Sequence, residues 1–358
     1  MITQSRIVVD AMGGDNAPGA IVEGAVLAAR EYGVNIILAG NREHVQPHLN
    51  KHSAAGLPIT IRHTTEVIGM SDNPLDVVRK KKDSSIRVGM ELLAEEKADA
   101  FISAGNSGAV VSAGLFVLKR IKGIERPAIA TVLPSLKGPF IVADVGANNT
   151  CKPHQLAQFA IMCSVYSHYY LKCSKPRVGL ISNGEEETKG TETIKQTHAL
   201  LKESSLNYVG HIEGKDMFFG NVDVAVCDGF TGNILLKSSE AVAESLGRAI
   251  KEELQRNLMS KIGYLFSRSA FMQLKKRFDY SEYGGAPLLG VNGPVIICHG
   301  RSTAFAIKNA VRAARDFAES KVIYHTLNDI EVNQDIHTIA KKPSFIDRVL
   351  KRGKPADD

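Results

Sequence analysis

Short apolar runs recur along the chain, each closing on a glycine-bearing turn and followed by apolar positions at helical spacing. RIVVDAMGG at 6–14 leads into PGAIVEGAVLAAREYG, and NIILAGN at 35–41 repeats the opening half. ADAFISAGN at 98–106 leads into SGAVVSAGLFVLKRI, and RVGLISNG at 177–184 precedes TETIKQTHALLKES. VDVAVCDG at 222–229 precedes NILLKSSEAVAESLGRAIKEEL, and GPVIICHG at 293–300 precedes TAFAIKNAVRAARDFAES. Continuously apolar strands alternating with amphipathic helices predict a largely parallel sheet covered on both faces, a three-layer α/β/α architecture. AIATVLPSLKGPFIVADVG at 128–146 breaks the rhythm. It reads as two strands joined at Pro134–Gly138, too closely for a crossover helix, so this pair is expected to be antiparallel.

The stretch 254–278, LQRNLMSKIGYLFSRSAFMQLKKRF, is a second departure. It carries Arg256, Lys261, Arg268, Lys275, Lys276 and Arg277 and no acid, beside Leu258, Ile262, Leu265, Phe266 and other apolar residues. Basic charge with large apolar side chains is the composition of an interfacial membrane segment. A helical pair packed at a dimer interface or against its own core reads equally well. The pattern predicts one domain over 1–327, as a single body or as two lobes, and a polar C-terminal extension over 328–358, basic near its end.

Composition narrows the picture. The chain has 358 residues, 44% hydrophobic and 23% charged, as a globular protein does. It has no run of 18 apolar residues and no apolar signal core before the first strand, which predicts retention in the cytoplasm. Five scattered cysteines without CxxC spacing exclude a disulfide framework or zinc knuckle. A net charge of +6, no tryptophan and no basic stripe interleaved with aromatics argue against nucleic acid.

Ligands of open α/β sheets bind at the carboxyl ends of strands. Here those ends hold Asp10 with Gly13, Gly14, Asp15 and Asn16; Ser103 with Gly105, Asn106, Ser107 and Gly108; and Asp144 with Asn148. They also hold Asn183, Gly184, Thr188 and Lys189; Asp228, Gly229, Thr231, Gly232 and Asn233; and His299–Ser302. Glycine admits close ligand approach, and the following helix start favours an anion. Six such turns in one chain predict a shared polar cleft. GxxxxGK[ST], GxGxxG after the first strand and HExxH are absent, and Ala109 stands where a nucleophile elbow built on Ser107 needs glycine. The run Glu185–Glu187 reads better as a solvated helix start than as a metal site. Lys189 either meets phosphate as a point charge or forms a surface salt bridge. Asn233 either caps a helix or presents an amide to a carbonyl oxygen. Cys227 on a strand reads as inert, and His299 as an acid–base group or a structural histidine.

VDAMGGDNAP, SAGNSGA, ADVGAN, SNGEEETKG, DGFTGN and GVNGP occur in this order over residues 6 to about 320. Together they resemble the bacterial phosphate acyltransferases of phospholipid synthesis, the PlsX family. His299-Gly300-Arg301-Ser302 departs from that family's frequent HGSS. The resemblance implies a fold similar to isocitrate and isopropylmalate dehydrogenases, working as a homodimer without a cofactor or metal. It implies transfer of a long acyl chain from acyl carrier protein to inorganic phosphate. It also implies peripheral membrane contact, where a membrane glycerol-3-phosphate acyltransferase uses the product. Within it, Lys189 and Asn233 match the residues linked to catalysis; the other turn residues are candidates for the substrate and phosphate site by their place at the strand ends, with Asp10, Asp15 and Asn16 read as holding the neighbouring turns or orienting a ligand hydroxyl. A coenzyme A-dependent phosphotransacetylase, a nicotinamide dehydrogenase and a membrane-surface scaffold are the rival readings.

Overall fold

The strand-turn-helix repeats assemble into one sheet because the central strands are apolar on both faces and cannot leave either in water, while the edge strand at 59–63 exposes Thr60, Arg62 and His63. The computed structural model describes residues 4–278 and 280–333. Among them eleven strands form a single sheet: β1 Arg6–Asp10, β2 Asn35–Gly40, β3 Ile59–His63, β4 Ala100–Ser103, β5 Ala128–Pro134, β6 Pro139–Ala143, β7 Val178–Ile181, β8 Tyr208–Ile212, β9 Val224–Val226, β10 Ala286–Leu289 and β11 Val295–Ile297. The spatial order is β3-β2-β1-β4-β11-β10-β5-β6-β9-β7-β8.

Side chains alternate between two cores, one per face. Ile7 and Val9 of β1 join Ile102 of β4 and Ile141 of β6 on one side, under the helices Gly19–Tyr32, Pro153–Tyr169 and Ala304–Glu319. Val8, Phe101 and Val142 face the other side, under the helix Ser85–Ala94. This is the three-layer α/β/α arrangement that the pattern predicts. The helix Pro153–Tyr169 shows little amphipathic patterning because it is buried on nearly every face. That burial hides it from a reading based on helical periodicity.

β5 and β6 pair antiparallel, as their short connection requires. β10 also runs antiparallel to both its neighbours, β11 and β5. These pairings give the sheet two parallel halves of opposite sense, β3-β2-β1-β4-β11 and β6-β9-β7-β8.

Residues 254–278 fall across two helices, Gly229–Gln255 and Leu258–Phe278, which pack on each other. The longer spans about 40 Å. Past its first turn it carries no fully buried residue. Val242 and Leu246 are exposed, as are Leu258, Ile262, Leu265 and Phe266, with Phe266 at 84%. The hairpin therefore does not pack its apolar residues on the protein's own core, which removes that one of its readings. The C-terminal boundary near 327 falls within the helix Val322–Val332, where Ile330 is buried. Residues 334–358 of the extension lie outside the described residues. No helix among the described residues is long and apolar enough to cross a membrane.

Candidate functional site

The opposite senses of the half-sheets divide the six turns into two clusters. β1, β4 and β11 carry the first cluster; β6, β9 and β7 carry the second. Sheet twist of roughly 20–25° per strand turns one half against the other by about 60–75° over the three steps from β11 to β6. The helix leaving β9 crosses from the second cluster to the first: Lys237 Nζ lies 3.4 Å from His299 Nε2. The six turns thus form two groups bridged by one helix.

In the first cluster Asp10 is buried beneath the loops. Its carboxylate accepts from Ser103 Oγ at 2.6 Å and from the Met12 N–H at 3.1 Å. Burial pushes the Asp10 carboxyl up, against hydrogen bonds from Ser103, Ser85 and the Met12 and Gly13 backbone. Gly13 permits the close contact of two loops, since a Cβ there would lie 2.7 Å from Gly105 N. Gly14 follows it in this turn, and the Asp15 N–H donates to Gly300 O at 2.8 Å. Asn16 Nδ2 donates to the carbonyls of Arg301 and Ser302. Asn106 accepts from the Ala109 N–H at 3.0 Å and donates to the carbonyls of Met70 and Asp72. It thereby caps the helix Ser107–Ala113 and ties down the 69–72 loop. Ser107 is exposed and Gly108 packs against Pro74. The buried polar residues here hold the turns together, and Asp15, Asn16 and Ser107 face outward.

In the second cluster Asp144 is fully buried and organises its loop. It accepts from the N–H groups of Ile129, Gly146, Ala147 and Asn148 and from Asn148 Nδ2. Asn148 also donates to Pro127 O at 2.8 Å. Gly229 N donates to Asn148 O at 2.8 Å, which docks the head of the long helix on this loop. Gly232 is obligatory there, because a Cβ would overlap the Asp144 carbonyl oxygen.

Asp228 is the N-cap of that helix, accepting from the Thr231 N–H at 2.8 Å. Asn233 stands beyond the cap, in the helix itself, so its capping alternative falls. Its amide is exposed and meets no hydrogen-bond partner among the described residues. The neighbouring strand β7 ends in the loop 182–190. Asn183 Oδ1 accepts from the Gly190 N–H at 2.8 Å and closes it. Gly184 is buried against the Lys189 stem, while Thr188 is exposed. Glu185 pairs with Lys215, and Glu187 with Lys202. Lys189 takes part in no ion pair among the described residues, so the surface-salt-bridge reading falls too. β7 and β9 are parallel and adjacent, so Lys189 and Asn233 leave the same end of neighbouring strands.

Cys227 is buried, and burial pushes its thiol far up, with Asp228 and Asp144 adding repulsion. Burial likewise pushes Cys298 up to about 12. Neither supplies a thiolate near neutral pH.

Arg277 sits at the base of the hairpin and donates to the carbonyls of Ser135 and Leu136, tying it to the β5–β6 turn. That placement differs from the outward-facing role its sequence context suggests. The side chains of Lys275 and Lys276 lie outside the described residues. Sequence reasoning passed over Lys237, which reads there as one more polar position on an exposed helix.

A family model described as "Fatty acid synthesis protein" matches residues 5–325. A phosphate acyltransferase of Geotalea daltonii is 54% identical over 332 residues, covering 93% of this chain and 96% of that one. Another from Geobacter sulfurreducens is 54% identical over 317 residues, covering 88% and 92%. Among solved structures, a phosphotransacetylase from Streptococcus pyogenes superposes with a TM-score of 0.58 at 17% identity, covering 89% of this chain and 95% of that chain. EutD phosphotransacetylase from Staphylococcus aureus gives a TM-score of 0.56 at 17% identity, with 88% and 94% covered. At that identity the likeness is one of fold.

Proposed function

The chain belongs to the fatty acid synthesis protein family and is an acyltransferase, as its 54% identical relatives are, and from that premise we propose that it transfers a long acyl chain from acyl carrier protein to inorganic phosphate. The observation that carries this reading is that two side chains without partners among the described residues, Lys189 and Asn233, lie in the segments that leave the same end of adjacent parallel strands. A cation suits the incoming phosphate, and a neutral amide suits a carbonyl oxygen that gains charge.

A phosphate oxygen attacks the thioester carbon held against Asn233, with Lys189 on the nucleophile. The new C–O bond leaves an oxyanion that the Asn233 amide receives. The oxyanion collapses, the C–S bond breaks, and the carrier's sulfur leaves as a thiolate that takes up a proton. The products are acyl phosphate and free carrier thiol. Holding both reactants in attack geometry supplies ~7–11 kcal/mol of the barrier, and one oxyanion donor adds ~3–4 kcal/mol. No covalent enzyme intermediate is needed, which agrees with the suppressed thiol of Cys227. The remaining turn residues, from Asp10 to Gly232, shape and hold the substrate and phosphate pocket.

Acyl phosphate is a reactive, lipid-tailed anhydride, best passed on at a membrane surface. The exposed hairpin with Leu258, Ile262, Leu265 and Phe266 suits contact with the inner membrane face. Its basic residues suit the acidic carrier protein. A membrane glycerol-3-phosphate acyltransferase then consumes the product in phospholipid synthesis, and the working unit is a homodimer.

The test supplies purified protein with acyl carrier protein thioester and phosphate, and traps acyl phosphate with hydroxylamine. Product formation with that donor, in preference to acyl coenzyme A, is expected. Lys189→Ala should lower turnover about 100-fold or more with the fold intact, the usual scale for loss of one electrostatic contact to the reacting group. No acyl phosphate from the wild-type protein would overturn the reading, and near-normal turnover in Lys189→Ala would remove Lys189 from it.

A further inference from the structure

We propose that Lys237 and His299 form a phosphate-binding point where the two loop clusters meet. Lys237 lies four residues beyond Asn233 on the helix Gly229–Gln255. The two side chains therefore share one helix face, about 6 Å apart along its axis. His299 comes from the other half of the sheet, just past β11.

The ring of His299 has a defined polarity. The Arg301 backbone N–H donates to His299 Nδ1 at 3.1 Å. A nitrogen that accepts an N–H keeps its lone pair there, so the ring proton sits on Nε2. Nε2 in turn faces Lys237 Nζ at 3.4 Å. Two donors, an ammonium and an imidazole N–H, are thus aimed at one space. Facing donors repel unless an acceptor lies astride them. The acid near the lysine is Glu240, one turn farther along the helix, with Oε2 at 3.7 Å from Nζ. It engages the lysine alone. Asp15 stands against Gly300, beside the histidine, and gives an acceptor to a phosphate oxygen that carries a proton.

A phosphate oxygen between Nζ and Nε2 satisfies both donors and brings the anion one helical turn from the Asn233 amide. The identity of that phosphate rests on the transfer reading above. It is either the inorganic phosphate that attacks or the phosphodiester of the carrier's prosthetic arm, and both offer the same oxygens.

Both side chains are exposed, so Lys237→Met and His299→Phe should leave thermal unfolding unchanged. Calorimetric titration with inorganic phosphate should show affinity falling about tenfold or more in each variant, the effect of one charge-assisted hydrogen bond. Lys237→Arg should recover most of the loss. In steady-state transfer, a raised KM for phosphate with an unchanged KM for the thioester donor assigns the site to inorganic phosphate. The opposite split, without a calorimetric change, assigns it to the prosthetic arm. If the wild-type protein transfers no acyl group while Lys237→Met still loses calorimetric phosphate binding, the transfer reading fails and this site stands. Unchanged affinity and unchanged KM values in both variants would overturn it.

Discussion

Asp144→Asn removes the charge that organises the loop beneath Asn233. Asp144 Oδ1 accepts the N–H groups of Ile129 at 3.0 Å, Gly146 at 3.2 Å and Ala147 at 3.1 Å. Oδ2 accepts Asn148 N at 2.6 Å and Asn148 Nδ2 at 2.9 Å. Asparagine has one acceptor oxygen, so whichever way its amide turns, at least two of these donors face an NH2 group. Each hydrogen bond to a charged group contributes ~1.5–3 kcal/mol net, which puts the loss at about 3–6 kcal/mol. One effect opposes it: burial pushes the Asp144 carboxyl up, and the neutral amide escapes that desolvation. The lower end, about 3 kcal/mol, is therefore expected. The damage should also reach the chemistry, because Gly229 hangs on Asn148 O and Gly232 packs on the Asp144 carbonyl. Urea unfolding followed by circular dichroism measures the first effect, and turnover at saturating substrates the second. A variant within about 1 kcal/mol of wild type, with normal turnover, would refute the view that Asp144 is the keystone of this loop.

Other substitutions probe separate parts of the molecule. Burial raises the Asp223 carboxyl, but hydrogen bonds from the Arg177 guanidinium and backbone outweigh it and hold it below the usual carboxylate range. A carboxyl depressed in the folded state stabilises above its unfolded value, near 3.9, and loses that contribution as pH falls through the lower folded value. Asp223→Asn should cost about 1 kcal/mol at pH 7, given the partial exposure of the pair, and the gap should close below about pH 4; a gap unchanged at pH 3 would contradict this. In native protein at pH 8, Cys163, Cys227 and Cys298 should resist an aromatic disulfide reagent and react only after unfolding, because all three are buried; rapid native labelling of Cys227 would reopen covalent catalysis. Replacing Leu265 and Phe266 together by glutamate should shift stability by no more than about 0.5 kcal/mol yet weaken flotation with anionic vesicles. Undiminished flotation would separate the hairpin from the membrane.

The local rules of chain geometry reach far in this protein. Continuous apolar runs separated by helical repeats determine a doubly covered sheet, and the five-residue turn at 134–138 determines an antiparallel pair, because too little chain remains for a crossover. The order of the glycine turns likewise marks the family and directs attention to Lys189 and Asn233. Other features lie beyond periodicity. The helix Pro153–Tyr169 is buried all round and so lacks the polar stripe that identifies a helix. β10 gives no sign in its own residues that it will run antiparallel to β11 and β5. The two antiparallel pairings of β10 cancel, so the reversal of one half-sheet against the other comes from the β5–β6 pair, while β10 decides how far across the sheet the two clusters of turns stand from each other. Whether an amide is a cap or a free donor is also a matter of register: Asp228 takes the cap, and Asn233 is left with its amide exposed. The contact between Lys237 and His299 joins residues 62 positions apart through sheet twist and helix direction. Sequence determines which groups are available along each element; the pairing of distant strands decides which of them face one another.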